Sequence, residues 1–127
     1  MDLLLQEATL ADAALIAAMT RQVRGVYVSP AVKEYTVAVG RASREHPRLR
    51  LGASPRSLLQ LLRAAKAGAA LEGRDFVLPD DVAAIADAVL AHRLLLDRKA
   101  TSAGETASSI VADILSRVPV AREAQRR

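Results

Sequence analysis

The residues best placed to do chemistry are Gly52-Ala53-Ser54-Pro55-Arg56, which open the apolar stretch Ser57-Leu58-Leu59-Gln60-Leu61-Leu62-Arg63. Ser54 has the side chain of an N-cap, because its hydroxyl can accept from backbone amides that lack an intrahelical partner. Pro55 suits the first helical position, where a missing N–H costs nothing and φ is preset. Arg56 then stands in the first turn, at the positive end of the helix dipole, which disfavours a cation by roughly 0.3–1 kcal/mol. The same end, with free amides and a guanidinium beside it, is a place to hold a phosphate. An arginine that merely points into water satisfies the same spacing.

Other residue types narrow the chemistry. There is no cysteine, which removes disulfides, thiolate zinc sites and cysteine nucleophiles and fits a reducing compartment. His46 and His92 are far apart and have no acidic partner at ligand spacing, so they do not read as a catalytic or metal pair. Asp80 and Asp81 are adjacent and point in different directions on a helix, so they read as first-turn stabilisers rather than as a proton-sharing pair. No Gly-x-x-x-x-Gly-Lys-Ser/Thr phosphate loop occurs, nor an apolar strand ending in Asp-Glu, so the chain has no means of hydrolysing ATP by itself.

The elements that must position Arg56 read as helices. A first helix is expected from near Leu10 to about Val23, with Thr9 and Asp12 resembling a capping box, a stripe of Leu15, Ile16, Met19 and Val23, and Gly25 as its end. Val26-Tyr27-Val28 reads as a short strand able to pair with Phe76-Val77 in a minimal two-stranded ribbon. A second helix opens at Ser29-Pro30, repeats apolar positions at Val32, Tyr35, Val39 and Ala42, and stops where Pro47 restricts His46. His46 to Gly52 is then a loop carrying Arg48 and Arg50.

The third helix, Pro55 to about Leu71, decides where Arg56 points. At 100° per residue, Leu58, Leu61, Leu62, Ala65 and Ala69 gather on one side, and Arg56, Gln60 and Arg63 on the other. Arg56 should therefore face away from the core. Gly68 near the apolar edge points to close packing, and Gly73 to a C-terminal cap. A fourth helix starts at Pro79, buries Val82, Ile85, Val89 and Leu90, and ends around Leu95. Asp97 to Glu105 reads as a loop. A fifth helix, Thr106 to Arg117, buries Ile110, Val111, Ile114 and Leu115. The fold class is all-α, a small bundle of four to five helices.

Four motifs in order carry a family resemblance. They are Gly52-Ala53-Ser54-Pro55-Arg56; Leu61-Leu62-Arg63-Ala64-Ala65-Lys66-Ala67; Gly73-Arg74-Asp75-Phe76-Val77-Leu78-Pro79-Asp80-Asp81-Val82; and Val89-Leu90-Ala91-His92-Arg93-Leu94. Together they resemble the C-terminal lid of MoxR-type AAA+ ATPases, from about Leu10 to about Pro119. The resemblance implies that Arg56 is the sensor-two arginine, reaching the terminal phosphate of a nucleotide. It implies supporting nucleotide or interdomain contacts from Arg63, Arg48 and Arg50. It divides the chain into a lead from an ATPase module (1–9), the helical lid (10–118) and a disordered basic tail (119–127), and makes the chain a fragment of a longer ATPase. By the same resemblance the parent uses ATP and Mg2+, forms a ring, expected as a hexamer, and acts as a chaperone with von Willebrand factor A domain partners.

Composition sets the alternatives. Half of the residues are hydrophobic, yet only two tyrosines and one phenylalanine are aromatic, so the core must be built from Leu, Val, Ile and Ala. No apolar run approaches the roughly 20 residues of a membrane span, and the N-terminus lacks the basic start of a signal peptide. A cytoplasmic location with no membrane partner is the expectation. The net charge of +4 is spread along the chain rather than gathered in a basic stripe. A small basic helical nucleic-acid-binding domain, or a helical adaptor in which Arg56 is idle, is the alternative to the lid.

Overall fold

The computed structural model describes residues 12–120. Thr9, the helix start near Leu10, the expected lead and all but the first two residues of the expected tail lie outside the described residues. Six helices and one small sheet are present among those described. They are α1 (Ala13–Arg24), α2 (Pro30–Glu45), β1 (Leu49–Leu51), α3 (Pro55–Leu71), α4 (Pro79–Leu90), a 3-10 turn (Ala91–Arg93), β2 (Leu95–Leu96), α5 (Arg98–Ser102) and α6 (Ala107–Arg117).

Local chemistry explains where the helices start. Asp12 caps α1 by accepting from the Leu15 N–H at 2.8 Å, Ser29 accepts from Val32 at 3.2 Å, and Ser54 accepts from Ser57 at 3.1 Å. In α2 and α3 a proline follows the serine cap, as its fixed φ favours. α2 ends at His46, whose extended φ of −69° and ψ of 126° suit a residue before proline. After α3, Gly73 takes a φ of +77°, and the Arg74 N–H returns to the Ala69 carbonyl at 3.0 Å, which closes the helix in a left-handed cap.

One core joins α2, α3, α4 and α6. Val32, Leu61, Ala65, Ala69, Val82, Ala86 and Ile110 have no exposed surface. Alanines at Ala65, Ala69 and Ala86 let the helix axes approach closely, as the poverty in aromatic residues requires.

Several expectations are corrected. Tyr27 and Phe76 do pair, but as a single parallel bridge, with Tyr27 donating to Asp75 at 2.8 Å and accepting from Val77 at 2.9 Å. The two-stranded sheet lies elsewhere: β1 pairs antiparallel with β2 in a segment read as loop, Leu49 opposite Leu96 and Leu51 opposite Leu95. α4 stops at Leu90 rather than Leu95, because Leu94 to Leu96 turn extended to reach β1. Within the expected loop 97–105, Asp97 accepts from Ala100 at 2.7 Å and caps the short helix α5. Gly68 has nothing within 4 Å of an added Cβ, whereas Gly40 and Gly52 are the glycines in close contact. Finally, α1 buries none of its residues: Leu15, Ile16 and Met19 are 46%, 56% and 50% exposed.

Candidate functional site

Arg56 lies one residue beyond Pro55 at the start of α3, and it is exposed. It makes no side-chain hydrogen bond or ion pair with any described residue. Its helix is anchored by the buried Ser57 on one flank and by Leu58, Leu61, Ala65 and Ala69, also buried, on the opposite side. The geometry expected from the periodicity is therefore present: a helix start, capped by Ser54, with Arg56 exposed on the side away from the core.

Behind Arg56, α2 holds the approach to the helix. Ser43 Oγ accepts from the Ala53 N–H at 2.8 Å and donates to the Gly40 carbonyl at 2.6 Å. An Arg44 guanidinium nitrogen donates to the Ala53 carbonyl at 3.1 Å. Beside this helix start is a depression of about 350 Å³ lined by Arg44, Gly52, Ser54 and Arg93 among others. Arg44 lies in none of the four motifs and Arg93 is marked only as part of the last one; that both line the depression beside Ser54 depends on the packing of α2 and on the 3-10 turn.

Arg63 is exposed on α3, two turns along from Arg56. It borders a groove of about 860 Å³ between α1 and α3, with Ile16, Met19, Val23, Arg24 and Lys66. The Lys66 ammonium donates to the Arg24 carbonyl at 2.9 Å and ties the two helices. Charge that is dispersed along the sequence is polarised here. α1 contains Arg21 and Arg24 and α3 contains Arg56, Arg63 and Lys66, with no carboxylate inside either helix.

Arg50 is exposed on β1. Arg48 is instead committed within the domain, to Glu105 and, at 3.1 Å, to Asp113. The same Asp113 carboxylate takes the His46 Nε2–H at 2.9 Å, and the His46 Nδ1 accepts the Arg48 backbone N–H at 3.1 Å. These partners fix the ring as the Nε2–H tautomer. His46 donation, aided by the charges of Arg117 and Arg48, holds the Asp113 carboxyl below the usual range despite some desolvation. His46 and Arg48 thus brace the loop between α2 and α3 against α6. His92 is exposed on the 3-10 turn.

At the other end of α3, Asp81 is not a free acid. It accepts from the Leu78 N–H at 2.7 Å and from both terminal nitrogens of Arg74, at 2.7 and 2.6 Å. Burial pushes its carboxyl up, but the bonds from Arg74 and Leu78 outweigh this and hold it below the usual value. Asp80 is exposed. The described residues hold no cluster of three or more His, Asp or Glu able to bind a metal ion. No described helix is long and apolar enough to cross a membrane.

The profile of the AAA lid domain matches residues 41–114. The YeaC protein of Bacillus subtilis is 41% identical over 110 residues, covering 85% of this chain and 34% of that protein. The MoxR protein of Paracoccus denitrificans is 39% identical over 85 residues (57% of this chain, 25% of that protein). The MoxR1 chaperone of Mycobacterium tuberculosis is 38% identical over 79 residues (55% and 21%). A crystal structure of a Cytophaga hutchinsonii protein assigned as an ATPase superposes with a TM-score of 0.76 at 30% identity, over 80% of this chain and 34% of that one. The chain therefore spans about a third or less of the length of the relatives it matches.

Proposed function

Because the chain belongs to the AAA lid-domain family, in its MoxR-type branch, we propose that it works as the lid over the nucleotide site of an AAA+ ATPase module, with Arg56 as the sensor-two residue. The observation that carries this reading is the state of Arg56: exposed, unbonded to any described residue, and mounted on the capped first turn of a helix whose other face is core. A first-turn cation at the positive end of a dipole is disfavoured unless an anion offsets it. The terminal phosphate of ATP supplies that anion, through a charge-assisted and bidentate contact. Arg63 and Arg50 extend the positive field around the site. Arg48 acts at one remove, by holding the loop that leads to α3.

In this reading, ATP and Mg2+ bind mainly to the ATPase module, and Arg56 reports whether the terminal phosphate is present. Loss of that phosphate removes a contact made in one state only, so the lid is released to rotate against the module. The exposed stripe of Leu15, Ile16 and Met19, with the cationic groove beside it, is the face that the module covers. An apolar patch of this kind on a small domain marks an interaction surface. The parent is proposed to be a chaperone-type ATPase that assembles as a hexameric ring and works with von Willebrand factor A domain proteins. The chaperone role follows the name of the mycobacterial relative.

The test is ATP turnover by the full-length parent with Arg56→Ala and Arg56→Lys. Arg56→Ala is expected to lower turnover at least about tenfold, with partial recovery in Arg56→Lys, which keeps the charge but loses the fork. Unaltered turnover in Arg56→Ala refutes the assignment.

A further inference from the structure

The sensor reading requires Arg56 to be held at a fixed height and azimuth, yet no described residue bonds to the side chain itself. The constraint must come from the backbone that carries it, and the structure shows three mounts for that backbone, all on α2. The first is Ser43, buried with 1% exposure, whose hydroxyl takes the Ala53 N–H at 2.8 Å while anchoring itself on the Gly40 carbonyl at 2.6 Å. The second is Arg44, which takes the Ala53 carbonyl at 3.1 Å. Both backbone groups of Ala53, one residue before the N-cap, are therefore bound by side chains of α2. The third is steric. A Cβ on Gly52 would stand 2.6 Å from the Arg44 nitrogen and the Ser43 carbonyl carbon, so the chain lies directly on the α2 backbone there. One turn into α3, the Leu58 side chain fills the notch left by Gly40, where a Cβ would collide with it.

We infer that Ser43, Arg44 and Gly52 are positioning residues for Arg56. α2 grips the strand entering α3 at Gly52–Ala53 and the helix itself at Leu58, and Arg56 lies between these two grips on the opposite side. With Ala53 released, the capped turn can tilt about the Leu58 contact and carry the guanidinium off the phosphate. Misplacement by about 1 Å is enough to cost a positioned catalytic group up to roughly a hundredfold. This inference rests on the sensor assignment of Arg56, and it adds residues that do not approach a nucleotide themselves.

Four forms of the full-length parent separate the two claims by ATP turnover: unaltered, Ser43→Ala, Arg56→Ala and the double variant. Ser43→Ala is expected to lower turnover about tenfold. In the Arg56→Ala background the same change should matter by less than about twofold, because a mount has no effect once its load is gone. A purely structural role for Ser43 would instead multiply with the loss of Arg56, and that result, or normal turnover in Ser43→Ala, overturns the inference. Should Ser43→Ala fail to fold, Arg44→Gln repeats the cycle from a less buried position, with an expected loss of about threefold that again disappears in the Arg56→Ala background; multiplicative losses there overturn the inference equally. A full effect of Arg56→Ala with additive effects at Ser43 and Arg44 leaves the sensor standing and removes the mount. No effect of Arg56→Ala removes both.

Discussion

Arg74 grips Asp81 with both terminal guanidinium nitrogens, at 2.7 and 2.6 Å, across the turn that joins α3 to α4. The Asp81 side chain is only 8% exposed, and its other bond goes to the Leu78 N–H at the start of α4. One carboxylate therefore caps a helix and closes a loop. Arg74→Ala leaves that carboxylate buried without its cation, so the chain should lose roughly 2–3 kcal/mol of stability in urea unfolding.

Acid should destabilise the chain through the same group and through Asp113. Asp81 and Asp113 both hold their carboxyls below the ordinary aspartate value. A depressed carboxyl contributes stability that is complete above its unfolded value, about 3.9, and is lost as pH falls through the native one. Their contribution is expected to be flat from about pH 7 to pH 5 and to fall below about pH 4. Urea midpoints across that range check it, and Asp81→Asn should flatten the acid limb.

The glycines give predictions of opposite sign. Gly68 lies inside α3 with open space where a Cβ would go, so Gly68→Ala should stabilise by about 0.5–1 kcal/mol. Gly52→Ala drives a methyl into the α2 backbone and should cost roughly 2 kcal/mol or more. Thermal unfolding of the two variants separates them.

His46 is expected to be structural. Nitrogen NMR should find its Nε2 protonated and its Nδ1 bare, as its bonds to Asp113 and to the Arg48 N–H require. His46→Ala leaves that part-buried N–H without an acceptor and should cost roughly 2 kcal/mol.

The α1 stripe offers a contrast with the core. Ile16→Ser and Met19→Ser should leave the stability of the isolated chain within about 0.5 kcal/mol, because neither side chain is buried. Leu61→Ala, at a site with no exposure, should cost roughly 3 kcal/mol. Thermal melts of the three variants check the ranking.

Features set by neighbours along the chain are legible in the sequence itself. The bounds of α3 follow from Ser54, Pro55 and Gly73, each acting within one turn. The outward azimuth of Arg56 follows from the helical period alone. Features set by distant partners are not legible in this way. Leu49 pairs with Leu96, and Arg48 with Glu105 and Asp113, 57 and 65 positions away, and nothing in the sequence singles out these three partners from other leucines and acids. Periodicity marks the apolar stripe of α1 but cannot say whether this chain covers it. A mid-helix glycine such as Gly68 and a packed one such as Gly52 look alike in sequence, since the difference lies in what stands opposite.

The most direct measurement is the structure of the full-length parent with a non-hydrolysable ATP analogue bound. The Arg56 guanidinium is expected within about 2.7–3.2 Å of a terminal phosphate oxygen, with Ser43 still holding Ala53. Arg56 pointing into solvent, with the terminal phosphate satisfied entirely by other groups, would contradict that expectation.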